Sequence, residues 1–244
     1  SESGVIVVEG RHVHIQNAAL LNTEIGNERQ LVSFPRKPKH GSAKEGSAIS
    51  PGALINLCGR QRVLSQRMAI AWGLVGRNIA LVKSRVKLRQ LEIQFERNLN
   101  QLNRLDLPNV LADRLTILKD AWQLYRQALF DAEPALPSAR AVLDLSEEIL
   151  LATDRLTYEA EKLSATPAAR FVNIAGRNRM LSQRIGKLFL FREWGLGGQL
   201  VLQRLETSRI EFECNLAELQ RSGKGIPELA AQLDEVDGQW RKFE

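Results

Sequence analysis

The chain is 244 residues long, 44% hydrophobic and 25% charged, with eight prolines. This is a globular composition with room for one large or two modest cores, and its runs of Leu, Ala, Arg, Gln and Glu favour helix. Its 34 basic and 28 acidic residues leave a formal charge of +6, which suits anions; but the densest basic stretch, Arg36, Lys37, Lys39 and His40, is broken by Pro38 and lacks interleaved aromatics, so no nucleic-acid partner is expected.

In chain order, residues 4–16 read as a small β-hairpin, with β-branched runs on either side of Glu9-Gly10. His12 and His14 share one face of its second strand, but no third ligand accompanies them and no metal site is expected. From Phe34 to Ser50 the composition turns to Pro, Lys, Gly, Ser and Ala, too poor in apolar surface to order itself. Residues 1–50 are therefore an appendage and linker. The chain opens on Ser1 rather than Met, which is read as the trace of a removed upstream residue or leader.

Beyond Ser50 the apolar period becomes helical and stays so. Ser50-Pro51 and Thr166-Pro167 pair a capping hydroxyl with a first-turn proline. Helices are expected over 51–82, 84–104, 109–132, 137–164, 167–195, 197–221 and 227–243. No run nears the ~20 apolar residues that span a bilayer, so the chain is not expected to be membrane-embedded. Cys58 and Cys214, too few for a disulfide scaffold, lie at apolar helical positions and read as small hydrophobes. Trp122, Tyr125, Trp240 and Phe243 read as core aromatics.

These helices contain an internal repeat. Ile55-Asn-Leu-Cys-Gly-Arg-Gln-Arg-Val-Leu-Ser-Gln-Arg67 recurs 117 residues later as Val172-Asn-Ile-Ala-Gly-Arg-Asn-Arg-Met-Leu-Ser-Gln-Arg184. The same offset aligns Phe95-Glu-Arg-Asn-Leu99 with Phe212-Glu-Cys-Asn-Leu216, and one more residue brings Trp122 onto Trp240. The expected organisation is an all-α protein of up-and-down helical bundles from a tandem duplication, with a first unit at 51–165 and a second at 166–244. The second unit has no counterpart of helix 137–164.

On a helix, Ile55, Asn56, Gly59, Arg62, Val63 and Gln66 fall in one stripe ~120° wide. A mid-helix glycine costs ~1 kcal/mol against alanine, which close approach of another helix would justify. If that helix is the second motif, it presents Asn173, Gly176, Arg179, Met180 and Gln183, and Arg62 faces Arg179. Two guanidiniums in a partly buried interface repel unless an anion lies between them, and their parallel N–H donors match a planar oxyanion. Arg60, Arg67, Arg177 and Arg184 lie to one flank and read as structural partners of helix carboxylates or carbonyls, with Glu92, Glu96, Glu211 and Glu213 as candidates. Ser65 and Ser182 read as back-bonded hydroxyls, with no histidine base nearby to make a nucleophile. Spacing alone equally supports a tight helix crossing held by Gly, Asn and Gln with every arginine paired to glutamate.

The pattern Asn-x-x-Gly-Arg-x-Arg-x-Leu-Ser-Gln-Arg resembles the signature of the PilJ-type sensor domain, the N-terminal module of type IV pilus chemotaxis transducers, which is similar to the sensor region of nitrate/nitrite histidine kinases. The resemblance is close at residues 55–68 and 172–188. It implies a four-helix bundle with nitrate or nitrite held at a symmetric helix–helix interface, by Arg62 and Arg179 beside Gly59 and Gly176. Asn56, Asn173, Gln66 and Gln183 complete the candidate site, within one subunit or across a homodimer. Cys58, Val63 and Ile70 depart from the pattern, while Ala175, Met180 and Lys187 keep it. No kinase or methyl-accepting region follows the module, so a signal is expected to pass to a separate signalling or transport protein. The resemblance implies a non-enzymatic sensor without cofactor or metal, periplasmic after leader removal or else cytoplasmic; the competing expectation is a helical adaptor that binds a protein through the duplicated face.

Overall fold

The computed structural model describes residues 5–8, 11–14, 49–164, 166–223 and 225–243. Strands β1 (Val5–Val8) and β2 (Arg11–His14) pair antiparallel with Val8 opposite Arg11, the expected hairpin. The linker expected over 34–50 lies almost wholly outside the described residues. Contacts divide the chain into two units, residues 1–48 and 49–244.

The second unit is helical throughout: α1 (Pro51–Gly76), α2 (Leu81–Asn103), α3 (Asn109–Phe130), α4 (Leu136–Ser164), α5 (Pro167–Phe191), α6 (Gln199–Gly223) and α7 (Pro227–Phe243). Both expected caps form: Ser50 Oγ accepts from Ala53 N at 3.3 Å and Thr166 Oγ1 from Ala169 N at 3.2 Å. α1 stops six residues before its expected end because Asn78 and Ala80 take left-handed backbone, φ 56° and 45°. α5 ends in a π-helical turn, Arg192–Leu196, broken at Gly195 with φ 101°. No helix among the described residues is long and apolar enough to cross a membrane.

α1 lies at the centre, packed against α2, α4 and α5, while α3 closes the first bundle against α4. Gly73 and Gly76 of α1 meet Leu190 and Trp194 as Gly176 of α5 meets Arg62, so residue numbers rise together along the α1–α5 contact and the two motif helices run parallel. The repeat is also a repeat of contacts. Gln61 Nε2 donates to Phe95 O at 3.0 Å, and its counterpart Asn178 Nδ2 donates to Phe212 O at 3.1 Å. Phe95 stacks on Trp122 and Phe212 packs, slightly tilted, on Trp240, each with ring centroids 4.3 Å apart. Trp122, Tyr125 and Trp240 are buried, as core aromatics; the side chain of Phe243 lies outside the described set.

Cys58 is fully buried and burial pushes its thiol up to about 12, which leaves it unreactive. Cys214 is exposed, contrary to expectation. It occupies the place that the outward-facing Arg97 holds in the first copy.

Candidate functional site: the α1–α5 crossing

The site forms where α1, α4 and α5 meet. Side chains on a helix lean toward its N-terminus, so Arg62 reaches back along α1 to the level of both motif glycines. A Cβ at Gly59 would stand 3.1 Å from Arg62 Nη2, and one at Gly176 3.3 Å. The glycines thus line the guanidinium from both helices, which accounts for their cost inside α-helix. Arg62 is 1% exposed.

Its charge is answered from within the chain. Arg62 Nη1 donates to Asp154 Oδ1 at 2.9 Å, and Nη2 donates to Asn173 Oδ1 at 2.8 Å. The Asp154 carboxylate also accepts from Arg177 Nη1 at 2.6 and 2.5 Å, and Arg177 pairs with Glu211. A planar carboxylate therefore sits between two guanidiniums, in the arrangement anticipated for an external oxyanion. Burial works to raise the Asp154 pKa, but the charges and hydrogen bonds of Arg177 and Arg62 hold it below the usual carboxylate range. For Arg62 burial outweighs Asp154 and lowers the pKa, whereas Glu211 and Asp154 overcome burial at Arg177 and raise it. Among the described residues, the buried Nε donor of Arg62 has no acceptor.

Of the expected site residues, Arg62, Gly59, Gly176 and Asn173 come together. Asn173 also binds Glu161. Gln66 is buried one turn further along, donating to Ser146 O at 3.0 Å, and Gln183 is buried on α5. Asn56 and Arg179 are exposed. The arginine that meets Arg62 is Arg177 rather than Arg179, because two positions on one helix point ~200° apart and Arg177 is the one turned toward α4. Ser65 and Ser182 donate back to Arg62 O and Arg179 O at 2.8 and 2.9 Å, as read from the sequence.

A second ionic cluster lies about two turns away, seven residues along both α4 and α5. Glu147 of α4 accepts from Arg184 Nη2 at 2.5 Å and from Lys187 Nζ at 2.6 Å, while Lys187, fully buried, also donates to Ser146 Oγ at 2.7 Å. Arg204 Nε approaches Glu147 at 3.6 Å. Burial alone would raise Glu147, but Lys187 and Arg184 bring it down to about 2. Burial pushes Lys187 down to about 8 despite Glu147, helped by the nearby Arg184 and Arg204.

Neither acid was singled out from the sequence, although a signal was there. Glu147 and Asp154 each follow a core leucine, Leu143 and Leu150, by four residues, so both flank the apolar face of one helix.

Two stretches, residues 47–161 and 163–244, match the family model of the type IV pili methyl-accepting chemotaxis transducer N-terminal domain, PilJ. The chain belongs to this family. The two matched stretches are the two copies of the repeat, so each motif helix, α1 and α5, opens one PilJ copy. No curated protein and no solved structure matches the chain significantly. PilJ membership makes this a sensor-type domain of signal transduction, which works through partner proteins.

Proposed function

We propose that this tandem PilJ chain senses a small planar oxyanion, nitrate or nitrite, at the α1–α5 crossing and passes the signal to a separate protein. The observation that carries the reading is Arg62, a buried guanidinium lined by both motif glycines and already holding a planar carboxylate that it shares with Arg177. Nitrate presents the same planar oxygens as Asp154, so it competes for the same fork of donors. Asp154 acts as the resident occupant. Its displacement would free α4 from the crossing, and the difference in anion affinity between the two arrangements would drive the response. In this reading the second arm of the clamp is Arg177, and Arg179 joins only by leaving its exposed position.

Calorimetry with nitrate and nitrite tests it. Binding in the micromolar range is expected for the wild type, lost in Arg62→Ala and weakened in Arg177→Ala. An absence of both heat and thermal shift with either anion would sink the proposal, and loss confined to Arg179→Ala would move the clamp. The closed state of the crossing, with Arg62 already paired, favours a second reading, a helical adaptor without small ligand. Partner binding that survives removal of both Arg62 and Arg177 would select it.

A further inference from the structure

Two helices of the first bundle turn oppositely charged stripes to the outside. On α2, Ile93, Arg97, Asn100 and Arg104 follow one another at intervals of four, three and four residues, which keeps them on one face of the helix. They are exposed, Ile93 by 58%, and they line an open groove along α2. On α3, Asp113, Ile117, Asp120 and Leu124 repeat the intervals of four, three and four and are likewise exposed. Residues at this spacing form the seam along which one helix lies against another.

The two stripes also match in level. α2 and α3 run antiparallel, with Phe95 stacked on Trp122 and Glu92 paired with Arg126, so a step forward along α2 is a step back along α3. Arg97 is therefore level with Asp120, and Arg104 with Asp113. Among the described residues, no side-chain hydrogen bond or ion pair engages any of these four, since each points outward from its own helix. Other surface cations of α2 are answered within the chain, Arg85 by Glu133 and Arg89 by Glu92. Nor does the scaffold impose the pattern. At the matching places the second copy carries Cys214 for Arg97, and Ala231 and Gly238 for Asp113 and Asp120.

We propose that a second copy of the chain docks on this surface, its α3 lying antiparallel along α2 with Asp120 on Arg97 and Asp113 on Arg104. Leu124 of the docked copy then covers Ile93, and Ile117 covers Asn100. The register is the one that the chain's own α2 and α3 already keep. Charge selects this occupant. Two arginines and two aspartates at one spacing are complementary, whereas α2 against a second α2, or α3 against a second α3, would set like charges together. An anionic lipid surface would also attract α2, but it would repel the acids of α3 beside it. The contact joins unlike faces. It involves neither α1 nor α5 and stands apart from the anion reading.

Sedimentation equilibrium of the full chain at low ionic strength, where exposed charge pairs are least screened, tests the contact. Association that grows with concentration is expected. Arg97→Glu with Arg104→Glu weakens it about tenfold or more, because like charges then face each other. Asp113→Lys with Asp120→Lys does the same, in both cases with helical circular dichroism unchanged. Each double variant keeps the stripe that the other has lost, so an equimolar mixture of the two associates again. A wild type that stays monomeric, association indifferent to either reversal, or a mixture that stays apart overturns the proposal. A monomeric wild type that binds phosphatidylglycerol vesicles through Arg97 and Arg104 overturns it too, by assigning α2 to a lipid surface.

Discussion

Removing the Asp154 carboxylate leaves Arg62 charged and buried with Asn173 as its remaining partner, and an uncompensated buried charge is far more costly than the pair it replaces. Asp154→Ala should therefore lower unfolding free energy by about 3 kcal/mol in denaturant titrations. If the crossing takes an oxyanion, nitrate should return part of that loss and bind Asp154→Ala more tightly than the wild type. A thermal shift with nitrate no larger in the variant than in the wild type would contradict the role given to Asp154. Glu147 and Lys187 make a prediction in pH. With Glu147 held at about 2, its contribution is complete above the ordinary carboxylate range and is lost as pH falls through that range toward 2. Lys187 adds a limb of the same sign at higher pH. From about 8 up to its ordinary value near 10.5 the unfolded chain holds the proton that the folded chain has released, so stability rises with pH. Lys187→Met should abolish that alkaline rise in Tm and shrink the acid limb without removing it, since Arg184 still pairs with Glu147.

At the scale of elements, the α1–α5 contact depends on small residues in α1. A Cβ at Gly76 would stand 2.1 Å from Trp194 Cη2 and 3.1 Å from the Pro134 carbonyl oxygen, and the indole cannot retreat, since it packs on Trp72 and Phe191 at 5.7 and 6.0 Å between centroids. Gly76→Ala should thus destabilise by about 1–3 kcal/mol through overpacking, despite better helix propensity. Equilibrium unfolding measures it, and a stabilised variant would refute the packing account. The expected helices were legible from the apolar period, reinforced at α1 and α5 by caps and, for every helix but α4, by the repeat. What stayed hidden was rotational. The wheel placed Arg62 correctly beside Gly59, but the repeat suggested that like meets like across the crossing, and the lean of side chains along each helix decides otherwise. Arg62 meets Asn173 and Gly176, and the second guanidinium comes from Arg177, read from the sequence as structural. Asp154 escaped notice because nothing in a single helix pattern says that a flanking carboxylate will cover a cation 92 residues away.

At the scale of the molecule, the two copies have unequal support among the described residues. The first encloses its aromatic cluster with four helices, and α1 at its centre also carries α5. In the second, α5 relies on α1 for one face, α6 lies on α5, and α7 packs chiefly against α6 with most of its residues exposed. Local stability follows buried apolar contact, so the helices should open in the order α7, then α6, with α1 and α4 last. Native-state hydrogen exchange should show amides of 229–240 exchanging well before those of 57–72 and 142–157. The same inequality predicts what division of the chain would do. Residues 49–164 keep a closed four-helix core and should fold when produced alone, at reduced stability because Gly73 and Gly76 lose Leu190 and Trp194. Residues 166–244 lose α1, the support for the face of α5 that carries Gly176, and three helices without it bury too little apolar surface to offset the ordering entropy. Circular dichroism of the two fragments decides between them, and a second fragment that unfolds cooperatively by itself would mean that the α1–α5 crossing is a docking of two independent domains rather than the spine of one.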